Sequence, residues 1–208
     1  MKLIDMNVNQ YLDVLKSSAP APGGGSVSAL AGAQGVALFM MVADLTIGKE
    51  KFAEFEEVCL AAKEKGIALY DELVASVDKD TEAFNLVAAA FKMPKETEDD
   101  KAARRQAIAH GTLVSTEVPF RTMELGSEGL KLAETMIGKS NPNAASDLGV
   151  AILNLTACIK GAWLNVLINL PGVKDEAKAK AFAEEGQKMF DAADRVASSL
   201  YNQVAELL

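Results

Sequence analysis

No residue between Ser26 and Ala43 carries a charge, and nothing constrains the fold of this chain more than that run. It is long enough to be weighed as a membrane span. Its composition points elsewhere. Ala29, Gly32, Ala33, Gly35 and Ala37 give a helix here a thin surface that other helices can approach closely, and neither end carries an aromatic belt or a basic cluster followed by a polar loop. The reading is a buried helix of an all-helical protein.

The approach to that helix is as distinctive as the helix. Pro20 and Pro22 bias the chain away from helical torsions, and Gly23, Gly24 and Gly25 permit close backbone approaches that a β-carbon forbids. Ser26 is expected as the N-cap, so that the free amides of the first turn point back at whatever the glycines cradle, an anion or a polar ligand. The turn is neither a Walker loop nor a dinucleotide fingerprint, because no GK[ST] follows and no strand precedes it.

Around this centre the periodicity is helical nearly throughout. Val8, Tyr11, Leu12 and Leu15 mark a short first helix with Asn7 as a possible cap. Gly48 to Lys51 marks a corner. Phe52 to Phe91 then traces an apolar stripe of one helix or two in line. Thr97 with the acids after it opens another, expected to reach about Ile137 and to kink at Pro119. Ser140-Asn141-Pro142-Asn143 is a turn, Ser146-Asp147 starts a second strongly apolar helix that Pro171-Gly172 ends, and Asp175 begins a last amphipathic one. The expected fold is all-α: one domain over residues 1–208, with two long apolar central helices surrounded by amphipathic ones.

Composition removes several functions. The net charge of −8 argues against nucleic-acid binding, which needs a positive field. Two cysteines in apolar helical patterns, Cys59 and Cys158, read as buried free thiols, and the N-terminus lacks a signal-peptide core, which makes the cytoplasm the expected location. His110 is the only histidine, leaving little for a metal site or a histidine triad. Ser26 has no identifiable base beside it and is a poor nucleophile candidate. The run from Glu96 to Asp100 reads as a solvated helix start.

Two constellations rise above architecture. At roughly 100° per residue, Asp147, Asn154, Cys158, Gly161, Asn165 and Asn169 fall within about 40° of one line, a polar stripe through the most apolar helix. It is either a set of inter-helix hydrogen bonds or a wall of a polar ligand site. The second is Asp80, three, four or seven positions from Leu73, Val77, Phe84 and Val87, hence on the apolar seam. A carboxylate there has its charged form disfavoured, which moves its pKa toward the range useful for proton transfer. The competing role is an ion pair with a cation of another helix. Lys49 and Lys51, just past the central helix, are candidates for local positive charge facing an acidic ligand.

SAPAPGGGSVSALAG with VADLTIGKEKF, VDKDTEAF, FKMPKETEDDKAAR, the VPF around Pro119, and SNPNAASDLGVAI with WLNVLINLPGVKD resemble, nearly end to end and in order, the cyclodeaminase/cyclohydrolase family of tetrahydrofolate enzymes. The resemblance implies an all-helical homodimer, no metal, no cofactor beyond the tetrahydrofolate substrate, and a catalytic aspartate at the second Asp of the DxDxEAF block, here Asp80. It matches the family's glycine turn to Pro22, Gly23, Gly24, Gly25 and Ser26, and its SD and NVxxN blocks to Ser146-Asp147 and Asn165-Asn169. Together with Lys49 these are the expected substrate-binding residues. The implied partner is a folate, with or without a polyglutamate tail. The first expected activity is formimidoyltetrahydrofolate cyclodeaminase, the second methenyltetrahydrofolate cyclohydrolase; a folate-binding scaffold without turnover is the alternative from another class.

Overall fold

The computed structural model describes residues 1–207. Six α-helices carry the fold, and no strand occurs among the described residues: α1 (Val8–Leu15), α2 (Gly24–Asp44), α3 (Glu56–Phe91), α4 (Glu98–Thr135), α5 (Ala145–Asn169) and α6 (Glu176–Ala205). Three helix starts are written locally. Asn7 with Gln10 and Thr97 with Asp100 form reciprocal capping boxes, and the Asp175 carboxylate accepts from the Lys178 amide. Gly48 turns the corner after α2 at φ 70°, a region that glycine enters without steric penalty. A 3-10 stretch, Glu50–Phe55, then leads into α3, which is one helix rather than two.

The two apolar helices, α2 and α5, lie side by side and antiparallel. Gly24 faces Asn165 at one end, and at the other Asn141, just ahead of α5, bonds to Leu45 and Thr46 just past α2. The alanine and glycine content of α2 is what lets the two axes come so close. A β-carbon on Gly35 would stand 2.7 Å from Leu155 Cγ and 2.9 Å from the Ala151 carbonyl oxygen; one on Gly32 would stand 2.7 Å from Cys158 Sγ. Val36, Phe39, Leu73, Met123, Ile152, Leu155 and Ile159, all fully buried, fill the core that α2 and α5 share with α3 and α4. Burial of large apolar side chains at about 25 cal/mol per Å² is the main stabilising term here. On the far side α6 packs on α5, with Trp163 seated against Gly186.

By length and composition alone α2 and α5 could each cross a membrane, yet 56% and 44% of their most apolar windows are buried within the bundle. Enclosure is incomplete on one flank. There α2 leaves Val27, Met41 and Leu45 exposed, and α5 leaves Val150, Leu153, Leu164, Leu167 and Ile168 exposed. Both cysteines are free and buried, as expected, and burial pushes the Cys158 thiol up to about 12, so it stays protonated. α4 continues through Pro119 as one helix. A proline lacks the N–H that would bond four residues back, so the Ser115 carbonyl is left without that partner. Asn169 of α5 supplies a substitute through its Nδ2, at 2.9 Å.

Candidate active site

The polar chemistry of the molecule gathers at the end of the bundle where α2 begins and α5 finishes. Helix α2 starts at Gly24 with Gly23 as its N-cap, so Ser26 lies within the first turn rather than at the cap expected for it. Its backbone N–H, one of the amides a helix start leaves free, is not open to an outside anion. It donates to Asp80 Oδ2 of α3 at 2.9 Å, and the Ser26 hydroxyl donates to the same oxygen at 3.2 Å and to the Val77 carbonyl at 2.8 Å. The guest of the helix N-terminus is therefore the protein's own carboxylate.

Two opposed effects act on that carboxyl. Burial disfavours its charge and is the larger; the Ser26 amide and hydroxyl favour the charge and recover part of the loss. The balance holds Asp80 above the ordinary carboxylate range, as the seam position implied. Among the described residues no ion pair with a cation enters, so the competing reading of a neutralised seam acid is not what the geometry shows.

Only Gly25 among the three glycines is demanded by space. Its β-carbon would stand 1.9 Å from Asp80 Oδ1, so the carboxylate rests on the bare α-carbon. A β-carbon on Gly24 would meet Asn165 Nδ2 at a tight 3.3 Å, and one on Gly23 would meet nothing within 4 Å. Oδ1, unlike Oδ2, takes no hydrogen bond from the described residues. Asp80 lines a cleft of about 350 Å³ whose other walls include Gly24, Phe84, Val87, Ser115, Asn165 and Asn169.

The asparagine stripe divides along its length. Asn165 donates to the Gly161 carbonyl, and Asn169 to the backbone carbonyls of Asn165 and Ser115; both side chains line the cleft, and their amide oxygens have no partner among the described residues. Gly161 and Cys158 serve close packing against Ser28 and Gly32, and Asn154 bonds back to Val150 of its own helix. Asp147 lies in the first turn of α5, roughly 27 Å along the axis from Asn165, and does not share this cleft. Lys49 is likewise about 30 Å from Ser26, at the opposite end of α2, and does not reach the site of its own chain. Pro22 is buried behind the turn, whereas Pro20 and Ala21 line the cleft.

The sequence reading missed Ser115 and Ile168. Ser115 Oγ is shielded from solvent with no protein partner, and it sits beside the carbonyl freed by Pro119. A proline inside a helical pattern marks the residue four back, so the signal was present. His110 lies exposed on α4, away from this set. No cluster of three or more metal-ligating side chains occurs among the described residues.

Comparison with known proteins places this geometry. Residues 7–188 match the family model of formiminotransferase-cyclodeaminase. A methenyltetrahydrofolate cyclohydrolase of Methylorubrum extorquens is 39% identical over 96% of this chain and 94% of its own length. The formimidoyltransferase-cyclodeaminase of Gallus gallus is 33% identical over 84% of this chain, which spans only 32% of that larger protein. A crystal structure of formiminotetrahydrofolate cyclodeaminase from Thermotoga maritima superposes with a TM-score of 0.79, covering 98% of this chain and 96% of the other at 24% identity, and so shows the fold. With the all-helical architecture and the match over most of its length, the chain belongs to the formiminotransferase-cyclodeaminase family.

Proposed function

We propose that this chain is a tetrahydrofolate one-carbon enzyme that acts on the carbon bridging two folate nitrogens, with methenyltetrahydrofolate cyclohydrolase as its reaction. The observation that carries the reading is Asp80: a carboxyl held above its ordinary pKa, clamped by one oxygen and free at the other, on the wall of a polar cleft. Either of the two expected activities needs such a group. The end-to-end match to a free-standing cyclohydrolase moves that activity ahead of the cyclodeaminase expected first. The cyclodeaminase stays as the second reading, favoured by relatives that carry the same unit within a bifunctional chain.

The chemistry follows from the free oxygen. As water attacks the methenyl carbon, Oδ1 takes one of its protons and a neutral tetrahedral carbinol forms. The carboxyl then gives that proton to the departing nitrogen as the carbon–nitrogen bond breaks. The hydroxyl proton leaves while the carbonyl of the formyl group forms, so one proton is released per turnover. A group that accepts and returns a proton works best with a pKa nearer neutrality than an exposed aspartate has, which is the direction burial has moved this one. In the cyclodeaminase reaction the same group would protonate departing ammonia. The free amide oxygens of Asn165 and Asn169 and the Ser115 hydroxyl match the donors and acceptors of a pterin, while Phe84, Val87 and Ile168 offer apolar surface to an aryl ring. This scheme assigns no step to a metal or to a cofactor beyond the folate.

The exposed flank of α2 and α5 supports a homodimer. Two adjacent helices about 30 Å long present a face of roughly 600 Å² per chain, close to the 800 Å² or so of a standard interface. The reading places the dimer in the cytoplasm, off membranes and nucleic acid. Purified protein given methenyltetrahydrofolate and formimidoyltetrahydrofolate separately tests the function. Loss of the methenyl chromophore above the spontaneous rate supports the cyclohydrolase, and ammonia with chromophore gain supports the cyclodeaminase. Neither would sink both and leave the scaffold. A monomeric mass in light scattering at micromolar concentration would remove the dimer.

A further inference from the structure

The N-terminal segment lies over the groove between α2 and α3, and the reaction described above makes no use of it. A 3-10 turn, Leu3–Asp5, and α1 form a strap fastened at one point: the Asp78 carboxylate accepts the Leu3 amide at 2.6 Å and the Ile4 amide at 3.4 Å. Under the strap is a cavity of about 450 Å³ with largely apolar walls, among them Met6, Leu30 and Val77. The strap delivers Tyr11 into the groove, where it packs with Ala29 and Val77 at 8% exposure. These neighbours fix its place. Ala29 is one helical turn past Gly25, and Val77 is one turn before Asp80, so Tyr11 occupies the next step of the same groove in which Asp80 rests on Gly25.

Tyr11 Oη is sealed from solvent and has no hydrogen-bond partner among the described residues. An unpaired buried donor is costly, and native structures seldom keep one without a use. Asp80 Oδ1, one turn away, is the complementary case: an acceptor with no protein donor. We propose that Tyr11 is a positioning residue of the reaction site, its hydroxyl donating to the free oxygen of Asp80 across one water, and so holding the carboxylate in register with the cleft.

The surroundings leave Tyr11 as the group able to do this. Across the groove α2 offers Gly25 and Ser26 and carries no charge before Asp44; α5 and α4 bring the neutral Asn165, Asn169 and Ser115 to the cleft. On α1 the ion pair of Asp13 and Lys16 is exposed, on the strap Asp5 is exposed, and on α3 itself Lys79 and Glu82 point to solvent while Asp78 holds the strap. Burial, and after it the charge of Asp80, raise the Tyr11 phenol above its ordinary value, which keeps it protonated and a donor throughout the working range.

The test is Tyr11→Phe, which removes one oxygen and keeps the ring that packs on Ala29 and Val77. The primary readout is the titration of Asp80 in the free protein, followed by carboxyl ¹³C NMR, which does not depend on the folate reading. Loss of a donor to the charged carboxylate is expected to move that titration up by about one pH unit. The turnover arm rests on the folate reading: kcat is expected to fall about tenfold with KM little changed. The reciprocal measurement uses Asp80→Asn, in which the Tyr11 phenol, followed by ring ¹³Cζ NMR, should titrate at lower pH than in the parent. An Asp80 titration unmoved by Tyr11→Phe overturns the proposal even if melting temperature or kcat changes, because packing alone accounts for such a change. A Tyr11 titration unmoved by Asp80→Asn overturns it as well.

Discussion

The two ends of the α2–α5 pair are built from the same apolar helices and differ in what they do with polar groups. At the far end every polar group named here finds a protein partner. The Thr46 hydroxyl donates to the Val42 carbonyl and accepts from the Asn141 amide, and the Asn141 side chain donates to Leu45 and accepts from Asn143. At the near end Asp80 Oδ1, Ser115 Oγ and the side-chain amide oxygens of Asn165 and Asn169 have none among the described residues. Satisfied groups hold a corner together. Groups left without a protein partner and gathered on a cleft mark the end where something else binds, which separates structure from function along a single helix pair.

The sharpest way to break this comparison is Asp80→Asn. Asparagine keeps the shape and accepts the Ser26 amide but cannot exchange a proton, so kcat is expected to fall about 10²- to 10⁴-fold with folate binding retained. Stability should move the other way. Because the folded-state pKa of Asp80 lies above its unfolded value, the contribution of this group is full below 3.8 and is lost as pH rises through the raised pKa. The variant escapes that loss. It should melt above the parent at neutral pH, with the gap closing as pH falls through the raised pKa and closed below 3.8. A variant that melts lower at neutral pH would mean that Asp80 stabilises the fold in its charged form, and would place the near end with the far one.

Next in size is the pair Gly25→Ala and Gly23→Ala. The sequence presents three equivalent glycines, and space ranks them. A methyl group on Gly25 collides with the Asp80 carboxylate, whereas one on Gly23 enters open space. Since Asp80 is the atom group displaced, Gly25→Ala should cost kcat at least tenfold through misplacement. Gly23→Ala, at an extended φ of −123°, should leave kcat within about twofold. Equal losses in the two would show that the turn works through chain geometry and not through contact with the carboxylate.

What was legible in the sequence was whatever a single helix encodes. The seam position of Asp80 follows from its neighbours three, four and seven away, and burial does move its pKa in the expected direction. The caps at Asn7, Thr97 and Asp175 follow from local side-chain chemistry. What escaped depends on which ends meet. Periodicity puts Asp147 and Asn165 on one line and is blind to the rise along it, which is why the stripe left both inter-helix bonding and a ligand-site wall open along its whole length. Lys49 stands apart for the same reason, since the length of α2 keeps it from meeting Ser26 within one chain. Ser26 was misread because its partner is a carboxylate from a helix 54 residues away in sequence.

The smallest expected effect belongs to the far end, and Thr46→Val measures it. Thr46 is fully buried; valine fills the same volume but cannot accept from the Asn141 amide, which is left half-buried without its 2.9 Å bond. A buried donor stripped of its partner costs about 1–3 kcal/mol, which for a chain of this size lowers the melting temperature by roughly 2–4 °C per kcal/mol. The Ser26–Asp80 contact lies about 30 Å away along α2, well outside the range over which such changes normally couple. Turnover, KM and the Asp80 titration should therefore match the parent at temperatures where both are folded. A shifted pH profile in Thr46→Val would show that strain at the far corner travels the length of α2 to the carboxylate, and the division of the helix pair into a structural end and a reactive end would fail.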